Sequence, residues 1–290
     1  MPTAAAPTKT SPEIAPFRLF GLQVVGARRI SPSLMRVTFG GEELKDFYAG
    51  GRDQSITLFL PHPGQHEPVL PASYEPATWY AEYRSVPEDV RAVMRSYTVR
   101  AQRRHPREEI DIDFVLHEAA SDAASVGPAC RWAAQAAPGD RVAVIGPTVA
   151  ENTAVRFQPR EGTDSVLIWA DETALPAAAA ILESLPTGTT ARVWLEVQHT
   201  KDRQALTTAA DARITWLVRD EGAPQALDAV REAELPGARP YVWIAGESGS
   251  VKELRRHLVR ERELDRRDIT FVGYWRRGLS EEQLREEAAA

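Results

Sequence analysis

The sequence predicts a β plus α/β chain, an N-terminal antiparallel β-barrel followed by a doubly wound parallel sheet. Three observations carry this. At 290 residues the chain is long for one core and comfortable for two domains of about 130 residues each. Its first half reads as short strands punctuated by turn residues. Its second half alternates apolar strands with helices.

In the first half, residues 34–39, 54–60, 96–101, 109–117 and 141–145 are each rich in β-branched or aromatic side chains. The clearest is 109–117, where Ile110, Ile112, Phe114 and Leu116 alternate with Asp111, Asp113, Val115 and His117. One face is buried and the other mostly polar, as in a closed antiparallel barrel. Residues 61–94 interrupt the pattern with six prolines and an aromatic cluster. They read as a long loop over the scaffold, with a short helix predicted over 87–94.

In the second half, 165–170 is a continuous apolar strand and 175–185 an Ala-rich helix. Strands follow at 192–197, 214–218, 241–245 and 269–274, with helices over 224–234 and 251–261. Strands apolar on both faces, alternating with helices, predict a parallel sheet covered on both sides. Such sheets bind ligands beyond the carboxyl ends of their strands. The boundary falls in the polar stretch 150–162, giving a barrel domain over 17–150 and an α/β domain over 163–290. Residues 1–16, rich in Ala, Pro, Thr and Ser, read as a disordered leader and not a signal peptide.

Composition narrows the function. Cys130 is the only cysteine, which excludes an intrachain disulfide and a multi-thiolate iron–sulfur cluster. Only His62 and His66 among the six histidines share an i, i+4 spacing, and they stand in a Pro/Gly-rich loop, so no resident metal is expected. A net charge of −6 argues against general nucleic-acid binding. No apolar run approaches the ~18 residues that cross a bilayer. A cytoplasmic monomer without membrane insertion is the default expectation.

Two motifs lie in the barrel half. Arg95-Ser-Tyr-Thr-Val-Arg100 is either a plain strand with two exposed arginines or a ligand-binding one. In the second reading Arg95 neutralises a phosphate, Tyr97 offers an aromatic face and Thr98 a hydroxyl. Gly127-Pro-Ala-Cys-Arg-Trp-Ala133 is a glycine turn opening a short helix, either a simple cap or a pyrophosphate cradle. The first motif resembles the flavin-binding strand, Arg-x-Tyr-Ser/Thr, of the ferredoxin-reductase-like superfamily. Together with Gly139-Asp-Arg-Val-Ala-Val-Ile-Gly-Pro147, Asp171-Glu-Thr-Ala-Leu-Pro176, Ala245-Gly-Glu247 and Gly273-Tyr-Trp-Arg-Arg-Gly278, these segments resemble the siderophore-interacting protein family over roughly residues 17–278.

That resemblance implies FAD, with NAD(P)H as electron donor and a ferric siderophore as substrate. It implies that Arg95, Tyr97, Thr98, Val99 and His117 contact FAD. Gly127, Pro128, Ala129 and Cys130 would lie at its pyrophosphate. Two departures stand out: Cys130 where the family commonly has serine, and Ala170 where glycine usually precedes Asp-Glu-Thr.

Asp171, Glu172, Thr173 and Ala174 stand where a parallel strand ends and a helix begins, which suits an N-cap and equally a nicotinamide contact through Thr173. Gly246 and Glu247 repeat the arrangement, and Trp275 either closes the site or packs against the barrel. Ala245-Gly-Glu-Ser-Gly249 is not the G-x-G-x-x-G fingerprint. Tyr97, Thr98 and Thr173 are therefore the candidate catalytic residues.

Lys252, Arg256 and Arg260 form a basic stripe that is either a solvated helix face or, with Arg276, a rim for an anionic chelate. Lys201 and Arg203 are candidates for a 2′-phosphate contact. Two alternatives share the motifs: a flavin reductase of the same fold acting on another acceptor, and a ferric-siderophore binder without turnover.

Overall fold

A computed structural model describes residues 15–72, 74–116 and 127–289. The N-terminal sheet holds β1 (Phe17–Ser31), β2 (Leu34–Gly40), β3 (Ser55–Leu60), β4 (Val93–Thr98), β5 (Ala101–Arg103), β6 (Glu109–Val115) and β7 (Arg141–Pro147). Its order is β4-β3-β7-β1-β2-β6-β5, antiparallel throughout. The two edge strands, β4 and β5, are consecutive in the chain, so the sheet curls back on itself. Val99 N–H donates to the Gln54 carbonyl and Arg100 N–H to the Asp111 carbonyl, both at 2.9 Å, and these bonds stitch the seam. Phe20, Phe39, Phe47, Leu58, Ile112 and Phe114 fill the interior without exposure.

Two elements here differ from the sequence reading. The longest strand, β1, pairs with both β2 and β7 and is absent from the predicted strands. The helix expected over 87–94 is instead α1 (Trp79–Ser85). Trp79 and Tyr83 stand one turn apart, stack at 5.4 Å and pack edge-on against Phe59. The segment after Pro87 turns and enters β4, because pairing with β3 outweighs a weak local helix preference. Helix α2 (Pro128–Gln135) buries Ala129 and Ala133 against the barrel and stacks Trp132 on Phe39 at 6.2 Å.

The second unit runs β8 (Ser165–Ala170), α3 (Leu175–Ser184), β9 (Thr190–Val197), β10 (Asp211–Val218), α4 (Ala226–Arg231), β11 (Pro240–Glu247), α5 (Ser248–Arg260) and β12 (Ile269–Trp275). All five strands are parallel, in the order β10-β9-β8-β11-β12. The chain leaves β8 to one side for β9 and returns on its other side with β11, so the order reverses at the carboxyl end of β8. That reversal opens the crevice where such sheets bind ligands. A last helix, α6 (Glu281–Ala289), is an element the sequence reading did not predict.

Two buried carboxylates join the halves. Asp202, fully buried at the end of β9, accepts from Ser31 Oγ (2.7 Å), Ser33 N (2.9 Å) and Ser33 Oγ (2.8 Å) at the β1–β2 turn. Asp53 of the barrel accepts from Trp243 Nε1 on β11 and Phe157 N at 2.9 Å, and from Arg156 N at 3.0 Å. Leu34 of the barrel is itself part of the second unit's core.

Candidate active site

The site lies where the end of β4 meets the crevice. Thr98, the last residue of β4 and buried, lies beside the Tyr274 hydroxyl from β12. Burial pushes the Tyr274 hydroxyl well above the ordinary phenol range. On the other face of β4, the Tyr97 ring packs on Phe114 with centroids 4.4 Å apart, and burial raises its hydroxyl pKa too. Val99 is buried behind the seam and also lines a separate cleft of about 900 Å³ at the far end of α3. That cleft holds none of the other predicted site residues.

Asp171 organises the crevice side. Its Oδ1 accepts from Thr173 N (2.9 Å), Thr173 Oγ1 (2.5 Å) and Ala174 N (3.3 Å). Its Oδ2 accepts from Glu247 N and Trp275 Nε1, both at 2.8 Å. One carboxylate thus closes the turn that leads into α3 and holds together the ends of β8, β11 and β12. Burial first, then the charge of Glu172, pushes its pKa up to about 6, against the hydrogen bonds from Thr173 and Trp275. Gly246 makes this closeness possible. Its φ is +145° and a Cβ there would come within 2.5 Å of the Asp171 carboxyl.

Other predicted residues have structural duties. Ala174 is completely buried and backs the turn without facing the crevice. The Glu247 side chain caps α5 by accepting from Gly249 N (2.6 Å) and Ser250 N (3.0 Å). Glu172 is tied to Arg219. Arg276 pairs with Glu287 of α6 at 3.0 Å. Lys252 and Arg256 are exposed on α5, one and two turns beyond its start at the crevice. His117 lies outside the described residues.

At the other end of the motif, Arg95 is already held. Its guanidinium bonds Glu282 and lies 3.9 Å from Glu281. Glu281 also accepts from Ser96 N and Ser96 Oγ, both at 3.0 Å. Helix α6 therefore lies along the free edge of β4, clamped further by Arg285, which donates to Ser96 Oγ at 3.0 Å. Nearby, Gly127 gives α2 no capping side chain. The first-turn amides of Ala129 and Cys130 thus have no intrahelical acceptor, and Pro128 has no N–H to offer. Arg95 and these amides form an anion-attracting edge, and carboxylate oxygens stand on its cation.

Residues 23–151 match the family model described as the siderophore-interacting FAD-binding domain, and residues 163–278 the one described as siderophore-interacting protein. Among curated relatives, the chain is 32% identical over 270 residues to the ferric vibriobactin reductase ViuB of Vibrio cholerae, covering 92% of each. It is 30% identical over 263 residues to an NADPH-dependent ferric-chelate reductase of Escherichia coli, covering 88% of this chain and 91% of that one. Among solved structures it is similar to the siderophore-interacting protein SipS of Aeromonas hydrophila. The two are 33% identical with a TM-score of 0.73, covering 93% of this chain and 96% of the other.

Proposed function

The chain belongs to the siderophore-interacting protein family, FAD-dependent NAD(P)H oxidoreductases that reduce ferric siderophores, and we propose that the residues above divide that work as follows. The barrel half, residues 17–150, holds FAD, and the α/β half, residues 163–290, holds the donor. Arg95 and the amides of Ala129 and Cys130 take the pyrophosphate. The fit rests on Arg95, whose guanidinium already carries two oxyanions, the carboxylates of Glu281 and Glu282. Tyr97 and Thr98 line the ring end, where β4 meets the crevice. Bound there, FAD supplies the conversion of a hydride's electron pair into single electrons, which ferric iron requires.

Around that group the chain's own residues orient and exclude. Thr173 and Trp275, both fixed by Asp171, form the wall against which the nicotinamide is laid. Thr98, buried beside the half-buried Tyr274, closes the opposite side. No resident metal ligand is needed, since iron arrives in the substrate and iron(II) matches hard siderophore oxygens less well. Lys252, one turn into α5, is the exposed cation of that helix nearest the crevice, with Arg256 beyond it; both favour an anionic chelate. Arg276 joins them once it leaves Glu287.

The observation that carries this reading is the meeting of the Arg95–Thr98 strand with the Asp171-centred crevice through Thr98 and Tyr274. The test is anaerobic iron(II) release from a ferric hydroxamate or catecholate, trapped by a coloured chelator. FAD-loaded protein should form iron(II) saturably with NADH or NADPH, and Arg95→Ala should lose FAD and activity together. Reduced flavin without iron(II) from any siderophore would overturn the substrate assignment.

A further inference from the structure

Beside the crevice Glu172 of the Asp171-Glu-Thr motif joins a charged cluster whose other members no motif assigns. Arg219, at the end of β10, has every guanidinium nitrogen engaged. Nη1 bonds Glu172 and Glu196, each at 3.1 Å, Nη2 bonds Glu172, and Nε bonds Gln198 at 2.8 Å. Glu172 follows β8 and Glu196 is the penultimate residue of β9, so three neighbouring strand ends converge on one guanidinium. We infer that this cluster makes the chain select NADH over NADPH. The inference rests on reading the crevice as the donor site.

Position comes first. With the nicotinamide at Asp171 and Thr173, the rest of the dinucleotide must run along the carboxyl ends of the strands. The direction of β11 and β12 is occupied by Trp275 and by the Tyr274–Thr98 contact. The adenosine half therefore lies over β9 and β10. In doubly wound sheets an acid at the second strand's end accepts the ribose 2′-hydroxyl, whereas an available arginine takes a 2′-phosphate. Glu196 is at that strand end. Its side chain keeps 21% of its exposure, and only its Oε1 is engaged by Arg219.

Charge then discriminates. Two carboxylates against one guanidinium leave the cluster with one negative charge. Its exposed guanidinium commits four of its five N–H donors to Glu172, Glu196 and Gln198. Arg203, a candidate in the sequence for that phosphate, is paired with Glu221 at 2.8 Å. Lys201 and Arg277 are exposed, as Arg219 is, and Arg277 acts on the Glu196 charge from outside the cluster, without the fixed geometry of the Arg219 pairs. A neutral ribose hydroxyl finds a carboxylate acceptor here, while a 2′-phosphate meets two carboxylates and a guanidinium they already share.

The test pairs rapid-mixing reduction of the FAD-loaded protein by NADH and by NADPH with calorimetric binding of 5′-AMP and 2′-phospho-5′-AMP. NADH should win by at least tenfold in rate over dissociation constant, and 5′-AMP should bind more tightly than its 2′-phosphorylated form. Glu196→Gln and Glu172→Gln, each releasing Arg219, should erase most of both preferences by improving the phosphorylated ligands. Equal or better use of NADPH by the unaltered protein, or variants that shift both nucleotides by the same factor, would overturn the inference. If neither donor reduces the flavin, the reductase reading itself falls, and the two AMP affinities still decide the cluster's preference.

Discussion

Asp171 concentrates the residue-scale chemistry, because five donors converge on its two oxygens. Asp171→Asn places an N–H₂ where two of those donors arrive, so Trp275 should come loose and flavin reduction by the nicotinamide should fall at least tenfold in rapid mixing. The pH dependence has a definite sign. Its folded pKa of about 6 lies above the ordinary Asp value of about 4. The folded state therefore takes up the proton first on acidification. This group's contribution to stability rises as pH falls through 6 and levels off below 4. Measured against Asp171→Asn in denaturant titrations, the wild type should gain up to about 3 kcal/mol between pH 7 and pH 4. The sequence marked Asp171 both as a cap and as a site residue, since a carboxylate after an apolar strand fits either. It could not mark the need for glycine at 246, which arises from a side chain 75 positions earlier in the chain and visible only in space.

At the scale of elements, α6 matters most. Glu281 and Glu282 stand where the FAD pyrophosphate is proposed to pair with Arg95, so helix and cofactor compete for one guanidinium. Deleting residues 280–290 should lower the dissociation constant for FAD at least fivefold in a fluorescence titration, and Glu281→Gln/Glu282→Gln should reproduce much of that gain. Weaker FAD binding after deletion would make α6 a wall of the flavin site instead. The helix was legible after all. Ser280 and Gln283 form a capping box, with Ser280 N on Gln283 Oε1 at 2.8 Å and Gln283 N on Ser280 Oγ at 3.2 Å, and S-x-x-Q is its sequence signature. Strand β1 was harder to see. Phe20, Leu22 and Val24 do alternate inward, but Gly21, Gly26 and a run of arginines dilute the pattern. It is a strand because β2 and β7 flank it. The helices and strands of the second half were legible to within a few residues, since their burial on both faces writes itself as unbroken apolar runs.

For the whole molecule, the two halves were plain in the sequence and their junction was not. Asp53 meets Trp243 across 190 residues and Asp202 meets Ser33 across 169, separations at which no local pattern survives. Burial works against the Asp202 charge, but hydrogen bonds from Ser31, from the His199 and Ser33 amides and from the Ser33 hydroxyl outweigh it and hold its pKa below the usual range. A carboxylate so depressed stabilises above the ordinary Asp pKa, and the gain is lost as pH falls through the folded value. Asp202→Asn should cost about 2 kcal/mol at pH 7, with the gap to wild type closing below about pH 4, and calorimetry should record one transition for both halves. The junction also limits how the protein can be recombined. A chimera spliced through 151–162 looks harmless from the linker, yet it parts Asp53 from Trp243 and Ser33 from Asp202. Two halves taken from different relatives should assemble only when each carboxylate travels with the partner it grips, so in this chain inheritance follows the contacts across the seam more closely than the order of the domains.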